Sequence, residues 1–274
     1  MKRSIGKALA LLCGAALVLG GCSSQKVMEK IVTDSCDVYY EDSSGMLVPD
    51  TDYLDLPQFG AVPENSVFNV DWVTVEDEYS AGTAVLVQTD LSADPLLLTA
   101  YHIFEADAFE LTPATLKDYL TGGYLMDVMS MEEDPPYIAA IEEVITIPDA
   151  EAVWDTQKPD KDLAAFRLDI PQGLTAYPLA SEPCKPGDTI YLVASLWKTD
   201  SYYDDNTYPC LVAADNGTQL TYILSDEFGT TGASGGPLLN TKGELVGIHI
   251  ASNGSIRVGH SAQSIYEQLK NAMK

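Results

Sequence analysis

The chain has 274 residues, enough for one large domain or two small ones, and 46% of them are hydrophobic, so a sizeable core can form. Its 41 acidic residues outnumber 15 basic ones, which gives a formal net charge of −26. Such a surface repels the phosphates of nucleic acids and anionic lipid headgroups. We therefore expect no nucleic-acid partner and no membrane attachment through a basic face.

The first 21 residues have the pattern of an export signal. Three basic residues open the chain, and an apolar run over residues 8–19 follows, which is too short for a comfortable transmembrane helix. The run ends in Leu-Gly-Gly-Cys, with the cysteine at position 22. This string resembles a bacterial lipobox, which implies cleavage before Cys22 and lipid on its thiol. An ordinary secretory signal with an accidental cysteine is the alternative.

The lipobox interpretation makes residues 1–21 a signal peptide and places the protein in the bacterial cell envelope, outside the cytoplasm. Cleavage removes three basic and no acidic residues, which leaves 12 basic against 41 acidic residues and a formal net charge of −29. Membrane association would then come through the lipid on Cys22. The acidic remainder favours solubility.

Three cysteines, at positions 36, 184 and 210, remain after the signal and the lipid site are set aside. Exported proteins can hold disulfides, and Cys184 and Cys210 flank neighbouring predicted strands, which makes them the favoured pair. Three free thiols are the alternative, because the count is odd. With three histidines and no CxxC or HExxH string, the sequence predicts no metal site and no cofactor.

Residues 22–66 are polar and acidic, which predicts a tether between the membrane and a folded domain. From residue 67 onward, short apolar runs separated by turn residues predict an all-β sandwich or barrel. The predicted strands cover residues 83–88, 96–100, 137–147, 163–168, 189–196, 210–213, 219–224 and 245–250.

Two predicted helices interrupt the strands. The first begins at Thr112-Pro113, a cap followed by proline, and closes at Gly122-Gly123. The second covers about residues 261–273, with apolar residues at helical spacing. Pro171-Gln172-Gly173 breaks the run of strands and is interpreted as the link between two halves.

Three short segments suggest nucleophilic catalysis. His102 ends the apolar strand of residues 97–101, Asp162 directly precedes another apolar strand, and Ser234 lies in the glycine-rich string Gly-Ala-Ser-Gly-Gly-Pro. A serine hydroxyl needs a histidine to take its proton, and the histidine needs a carboxylate to orient it. Asp160 is the alternative carboxylate, but Asp162 alone directly precedes the strand.

These segments resemble the motifs of the trypsin/chymotrypsin superfamily: Thr-Ala-Tyr-His around His102, Asp-Leu-Ala-Ala-Phe from Asp162, and Gly-Ala-Ser-Gly-Gly-Pro around Ser234, in the family's order. The resemblance implies a serine endopeptidase domain over residues 67–274 that acts on protein or peptide substrates. It implies a chymotrypsin-like fold of two β-barrels with a C-terminal α-helix, and an oxyanion hole formed by the backbone N–H groups of Gly232 and Ser234. The expected barrels cover about residues 67–170 and 175–258.

The branch of the family can be narrowed. Trypsin-type enzymes have an aspartate before the nucleophile, which pairs with a new N-terminus after cleavage, whereas this chain has Ala233. The chain is closer to the bacterial HtrA-type and glutamyl endopeptidase branches, which lack that aspartate. Only 40 residues follow Ser234, so we expect no PDZ domain of the HtrA kind.

A substrate pocket follows from the same resemblance. Residues 230–234 together with Gly-Ile-His at 247–249 resemble glutamyl endopeptidases, in which the corresponding histidine helps to bind an acidic side chain before the scissile bond. This implies a pocket formed by Thr230, His249 and Ser252. Residues 228–229 and 250–252 differ from that branch, and the net charge of the chain would repel acidic substrates at long range.

Two other functions are considered. Residues 232–236 also fit the G-x-S-x-G string of α/β-hydrolases, but that fold needs an acid and then a histidine after the serine, with alternating strands and helices. After Ser234 only Glu244 precedes a histidine, and the alternation is missing, so we exclude this class. The second is a catalytically silent surface lipoprotein with a protease fold, which acts as a binding module; an insert between His102 and Asp162 could block its cleft.

Overall fold

The computed structural model describes residues 59–274 apart from 105–111, 131, 133–134, 154–157, 170–172, 197–205, 225–228 and 254–255, together with two short strands earlier in the chain. These strands, β1 (Tyr39–Glu41) and β2 (Leu47–Pro49), pair antiparallel with each other. The predicted signal peptide, Cys22 and most of the predicted tether lie outside the described residues.

The first barrel is built from strands in the order β3-β6-β7-β8-β5-β4, and pairing of β3 with β4 closes it. Strand β3 alternates buried and partly exposed residues, whereas β5 is buried at every position. The alternation is the period-2 pattern of a strand with one face on the core. The strands are β3 (Val67–Thr74), β4 (Glu78–Gln88), β5 (Leu96–Thr99), β6 (Leu120–Asp127), β7 (Ala139–Ile145) and β8 (Ala164–Asp169).

The second barrel is closed, with the strand order β10-β11-β12-β15-β14-β13. Its strands are β10 (Thr189–Val193), β11 (Thr207–Asp215), β12 (Gln219–Ile223), β13 (Pro237–Asn240), β14 (Leu245–Asn253) and β15 (Ile256–Ser261). A terminal helix, α2 (Ala262–Ala272), follows β15 directly and buries Ile265 and Leu269. The predicted all-β, two-barrel chymotrypsin-like fold with a C-terminal helix is confirmed.

The first helix differs from its prediction. Helix α1 (Pro113–Tyr119) begins at the expected proline but ends before the paired glycines, which lie inside β6. A Cβ on Gly123 would lie 2.7 Å from Ile141 Cδ1 and 3.4 Å from Trp72 Cε3. The glycine therefore allows a close approach within the sheet, and it does not end a helix.

Between the two barrels, the chain first returns to the sheet of the first barrel. A two-residue strand, β9 (Tyr177–Pro178), runs parallel to β4 and extends the sheet of the first barrel. Tyr177 is anchored there by a 3.0 Å hydrogen bond between its hydroxyl and Ser66 Oγ. The first strand of the second barrel starts at Thr189, well after the proline-containing break.

The end of the predicted tether packs on the domain. The Phe59 ring lies 4.6 Å from the Tyr191 ring of β10, centroid to centroid, and both Phe59 and Val62 pack against the larger buried cluster, which draws residues from both barrels. This segment therefore packs on the folded domain. Within the described residues, no helix combines the length and the apolar character needed to cross a membrane.

Thr83 of β4 joins the two barrels. Its N–H donates to the carbonyl oxygen of Ser234 at 2.8 Å, and its hydroxyl donates to the carbonyl oxygen of Gly232 at 2.8 Å. Gly235 makes this contact possible, because a Cβ there would clash with the Thr83 carbonyl oxygen and with Thr99 Oγ1. The absence of a side chain at residue 235 thus brings the nucleophile turn against the first barrel.

We predict that Gly235→Ala destabilises the protein more than Gly243→Ala. Both glycines have positive φ, 82° and 76°, so both variants incur left-handed strain, but nothing lies within 4 Å of a Cβ at Gly243. Overpacking at residue 235 should lower the free energy of unfolding by about 1–3 kcal/mol beyond the control. Urea denaturation of the two variants measures the difference, and equal losses would contradict the crowding.

Candidate active site

The first barrel places a histidine and an aspartate at one edge. Strands β5 and β8 pair antiparallel, with Thr99 opposite Ala164. His102 follows the end of β5 in a short 3-10 turn, and Asp162 precedes the start of β8. Because the end of one strand meets the start of its antiparallel neighbour, the two side chains come together.

Asp162 is held by three hydrogen bonds. Its Oδ2 lies 2.8 Å from His102 Nδ1 and accepts from the Val153 N–H at 2.9 Å, and its Oδ1 accepts from the His102 N–H at 2.9 Å. The carboxylate is fully buried, and the His102 side chain is 8% exposed. A buried carboxylate needs such partners, and here they also orient the imidazole.

Ser234 lies in the turn before β13, between the two barrels. Its Oγ lies 2.8 Å from His102 Nε2. The Gly235 N–H donates to the His249 carbonyl oxygen and the Gly236 N–H to that of Ala233, which fixes the turn. With Nδ1–H directed to Asp162, the tautomer assigned from this network makes Nε2 the acceptor for the serine proton.

Thr83 of the first barrel holds Gly232 and Ser234, the two residues expected to form an oxyanion hole. Gly232 has a φ of 98°, which a glycine adopts readily, and Thr83 engages the carbonyl oxygens of both residues. Within the described part of the chain, neither N–H group donates a hydrogen bond to the backbone outside regular strands and helices. Thr83 thus fixes the backbone on both sides of Ala233.

Side chains at and after the start of the terminal helix contact the turn that leads to Asp162. His260 is fully buried at the end of β15, and its Nε2 lies 3.0 Å from Ser264 Oγ. Gln268 Nε2 donates to the backbone carbonyl oxygen of Asp160, in the turn that leads to Asp162. Asp160, the alternative carboxylate, thus contributes a backbone contact to this support, and the Asp162 carboxylate is the one that meets the imidazole.

The structure brings the three predicted pocket residues to the same end of the second barrel. Thr230 Oγ1 lies 2.5 Å from Ser252 Oγ, and His249 Nδ1 lies 2.7 Å from the hydroxyl of buried Tyr222. Burial, with the nearby Arg257 charge as the next cause, lowers the pKa of His249 to about 3. The imidazole is therefore neutral at neutral pH and does not supply the cation that a histidine-based acidic pocket requires.

Arg257 lies opposite Tyr222 and Ser252 in the strand pairing, and the sequence did not single it out. It is 3% exposed and is the only buried lysine or arginine among the described residues. A signal was present, because a charged residue stands between Ile256 and Val258 within an apolar strand. Its meaning depends on the register of three strands, which the sequence does not show.

The predicted disulfide is wrong. Cys184 and Cys210 are both free thiols. Cys210 is buried on β11, and its Sγ lies 3.3 Å from the Tyr208 carbonyl oxygen, whereas the backbone N–H of Cys184 donates to Asp215 in a loop. Burial raises the pKa of each thiol to about 12, which keeps both protonated. Among the described residues, no cluster of three or more potential metal ligands occurs.

Comparison with solved structures agrees with the two-barrel fold. A thermostable serine protease, AL20, from an extremophilic microorganism is 16% identical, with a TM-score of 0.51 over 76% of this chain and 97% of that chain. A serine endoprotease from Yersinia pestis is 16% identical, with a TM-score of 0.50 over 77% of this chain and 64% of that one.

The HtrA-type protease AlgW, solved with a tripeptide, is 17% identical, with a TM-score of 0.50 over 77% of this chain and 60% of that chain. The match thus spans less than two thirds of AlgW and of the Yersinia pestis protein. At these identities the likeness concerns the fold. No curated protein matches the sequence.

A comparison with family models assigns the chain to a protein family. The model described as the trypsin-like peptidase domain matches residues 82–248, which include His102, Asp162 and Ser234. The matched region is more than half of the chain and begins and ends inside the two barrels. The chain therefore belongs to the trypsin-like peptidase domain family.

Proposed function

We propose that this protein is a serine endopeptidase that hydrolyses peptide bonds through an acyl-enzyme, with His102, Asp162 and Ser234 as its catalytic triad. The observation that supports the proposal is the unbroken chain of hydrogen bonds from Asp162 Oδ2 to His102 Nδ1 and from His102 Nε2 to Ser234 Oγ, each 2.8 Å long. Protein or peptide chains are the proposed substrates.

In the proposed reaction, Ser234 Oγ attacks the carbonyl carbon of the scissile bond while its proton passes to His102 Nε2. The tetrahedral intermediate then collapses, the C–N bond breaks, and His102 returns the proton to the leaving amine. In the second half, water gives a proton to His102 and attacks the ester carbonyl. The ester C–O bond then breaks, and His102 returns the proton to Ser234 Oγ as the acid product leaves. Asp162 stabilises the imidazolium in both halves, since its carboxylate is buried beside Nδ1.

The N–H groups of Gly232 and Ser234 would bind the oxygen on which charge develops. Their value depends on being fixed in advance, because donors that must reorganise during the reaction lose part of their effect. Thr83 provides that fixation through the two carbonyl oxygens of the same residues. Loss of one such donor typically costs about 2.7–4 kcal/mol of transition-state stabilisation.

We also propose that lipid on Cys22 anchors the protein to the membrane on the extracytoplasmic side of a bacterial cell envelope. A protein with a net charge of −29 after cleavage is repelled by anionic headgroups, so a lipid is the attachment that its chemistry permits. The domain would then act on substrates outside the cytoplasm.

We predict that Asp162 and Asp160 differ sharply in their effect on catalysis. Asp162→Asn should slow peptide hydrolysis by about 10⁴-fold, because an amide favours the wrong tautomer of His102. Asp160→Asn should leave the rate within a few-fold, because Gln268 uses only its backbone oxygen. Steady-state hydrolysis of a peptide library by both purified variants measures the contrast.

Labelling with a fluorophosphonate probe gives the control for that contrast. The wild type should be labelled covalently, and Ser234→Ala should not. If folded wild-type protein is not labelled, the proposed peptidase fails, and the catalytically silent binding module becomes the better description.

We predict that Cys22→Ser releases the protein from the membrane fraction of the producing cells. Cys36→Ser is the matched control, because Cys36 stays in the chain after cleavage but lies outside the lipobox. Fractionation combined with metabolic labelling by a palmitate analogue measures both variants. Equal labelling of Cys22→Ser and wild type would refute the lipid anchor.

A further inference from the structure

We propose that the outer face of the first barrel carries a second contact surface for the substrate. There the stacked rings of Tyr124 and Tyr137 and the carboxylate of Asp71 bind an arginine or lysine side chain that follows the scissile bond. The inference deepens the proposed peptidase function, on which it rests. It adds a contact outside the triad and outside the pocket predicted from the sequence.

Two aromatic rings stack on the surface of the first barrel. Tyr124 and Tyr137 are 41% and 54% exposed, and their ring centroids lie 5.0 Å apart with an interplanar angle of 29°. In the part of the chain that the structure describes, Val75, in the turn after β3, is the one other large hydrophobic side chain with such exposure. Exposed hydrophobic side chains that are gathered, and not scattered singly, indicate a contact surface.

The carboxylate of Asp71 lies beside these rings. Asp71 on β3 lies directly opposite Ser80 of β4 and directly opposite Tyr124 of β6, so the three side chains share one face of the sheet. The Ser80 hydroxyl donates to Asp71 Oδ1, and the Tyr137 hydroxyl donates to Asp71 Oδ2 at 2.8 Å. Both donors are neutral, so they orient the carboxylate without cancelling its charge.

A cation is the ligand that suits rings and a carboxylate in this arrangement. A guanidinium or ammonium group is attracted to the face of an aromatic ring when it lies within about 6 Å of the centroid. A carboxylate next to the ring adds charge-assisted hydrogen bonds to the same group. Arginine and lysine are the side chains of a polypeptide substrate that supply such a cation.

The charge of the surrounding chain favours the same ligand. From residue 31 to residue 157 the sequence has 27 acidic residues and one basic residue, Lys117. Three of the acidic residues, Glu76, Asp77 and Glu78, are exposed in the turn and strand that follow β3. A basic segment of a substrate would therefore be steered toward this barrel, and an acidic segment would be repelled.

The rings lie on the side of the triad from which the amine product leaves. A Cβ at Gly82 of β4 would lie 2.8 Å from the Ser234 carbonyl oxygen and would clash with the side chain of Ile103, which follows His102. Strand β4 therefore passes the triad on the His102 side, whereas the predicted pocket lies in the second barrel. Because His102 protonates the leaving amine, substrate residues after the scissile bond lie on this side.

Distance determines which substrate residue reaches the rings. Ser80 precedes Gly82 by two residues, and Tyr124 lies two strands away from Ser80. With strands about 4.8 Å apart and a rise of about 3.3 Å per residue, Tyr124 lies roughly 12 Å from Gly82. About four extended residues span this distance, so we expect the cation about three to six residues after the scissile bond.

Cleavage-site profiling on a library of randomised peptides tests the surface. We expect arginine and lysine to be enriched about three- to tenfold at about three to six residues after the cut. Tyr124→Ala and Asp71→Asn should lose the enrichment, and Tyr124→Phe, which keeps the ring, should retain it. An even distribution of arginine and lysine, or unchanged enrichment in folded Tyr124→Ala, would overturn the proposal. If Tyr124→Ala does not fold, Asp71→Asn decides.

Two matched controls separate this surface from the general effects of charge and aromatic content. Tyr266→Ala removes a tyrosine from the terminal helix, and Asp94→Asn removes one charge from the turn between β4 and β5. Both variants should retain the enrichment. Equal losses in Asp94→Asn and Asp71→Asn would attribute the preference to net charge alone and reject the surface.

Binding to the Ser234→Ala variant separates failure of this proposal from failure of the peptidase. The probe is a fluorescent peptide of alternating glycine and arginine, and fluorescence polarisation gives its affinity. It should bind Ser234→Ala at least about threefold more tightly than the double variant Ser234→Ala/Tyr124→Ala. Binding that depends on Tyr124, without hydrolysis by the wild type, would retain the cation surface and reject the peptidase. Hydrolysis without enrichment after the cut would retain the peptidase and reject the surface.

Discussion

The contact of Thr83 with the turn around Ser234 is the constraint on which the rest of the site depends. One residue of β4 binds the carbonyl oxygens of Gly232 and Ser234, and its own carbonyl oxygen accepts from Thr99 Oγ1 at the end of β5. The strand that leads to His102 and the turn that holds the nucleophile are therefore fixed to the same residue. The 2.8 Å distance between the imidazole and the hydroxyl follows from this junction.

The two buried charged side chains lie in different barrels, although the chain as a whole is highly acidic. Asp162 lies in the first barrel, where three donors compensate its burial, and Arg257 lies at the end of the second barrel. Most of the 41 acidic side chains can remain solvated, but a desolvated charge must be compensated locally. The proposed mechanism uses the Asp162 charge to stabilise an imidazolium.

The sequence predicted the parts of the fold whose signals are local. Three local signals predict the barrels and the triad. They are the apolar strand before His102, the apolar strand after Asp162 and the glycine-rich string around Ser234. Local signals failed where tertiary packing decides the outcome. The paired glycines before residue 124 look like a helix end, but Gly123 provides room for Trp72 and Ile141. Cys184 and Cys210 flank neighbouring strands, but both are free thiols: Cys210 is buried in the core of the second barrel, and Cys184 is partly buried against the same core.

The pocket illustrates why the charge of a site is harder to predict than its position. The string Gly-Ile-His predicts that His249 lies near the nucleophile turn, but the protonation of His249 depends on burial and on Arg257, eight residues further along the chain. Two cations packed side by side inside a barrel would repel each other, so the presence of the arginine itself makes a charged histidine unfavourable. The arginine cannot lose its proton and the histidine can, so the imidazole is the group that becomes neutral.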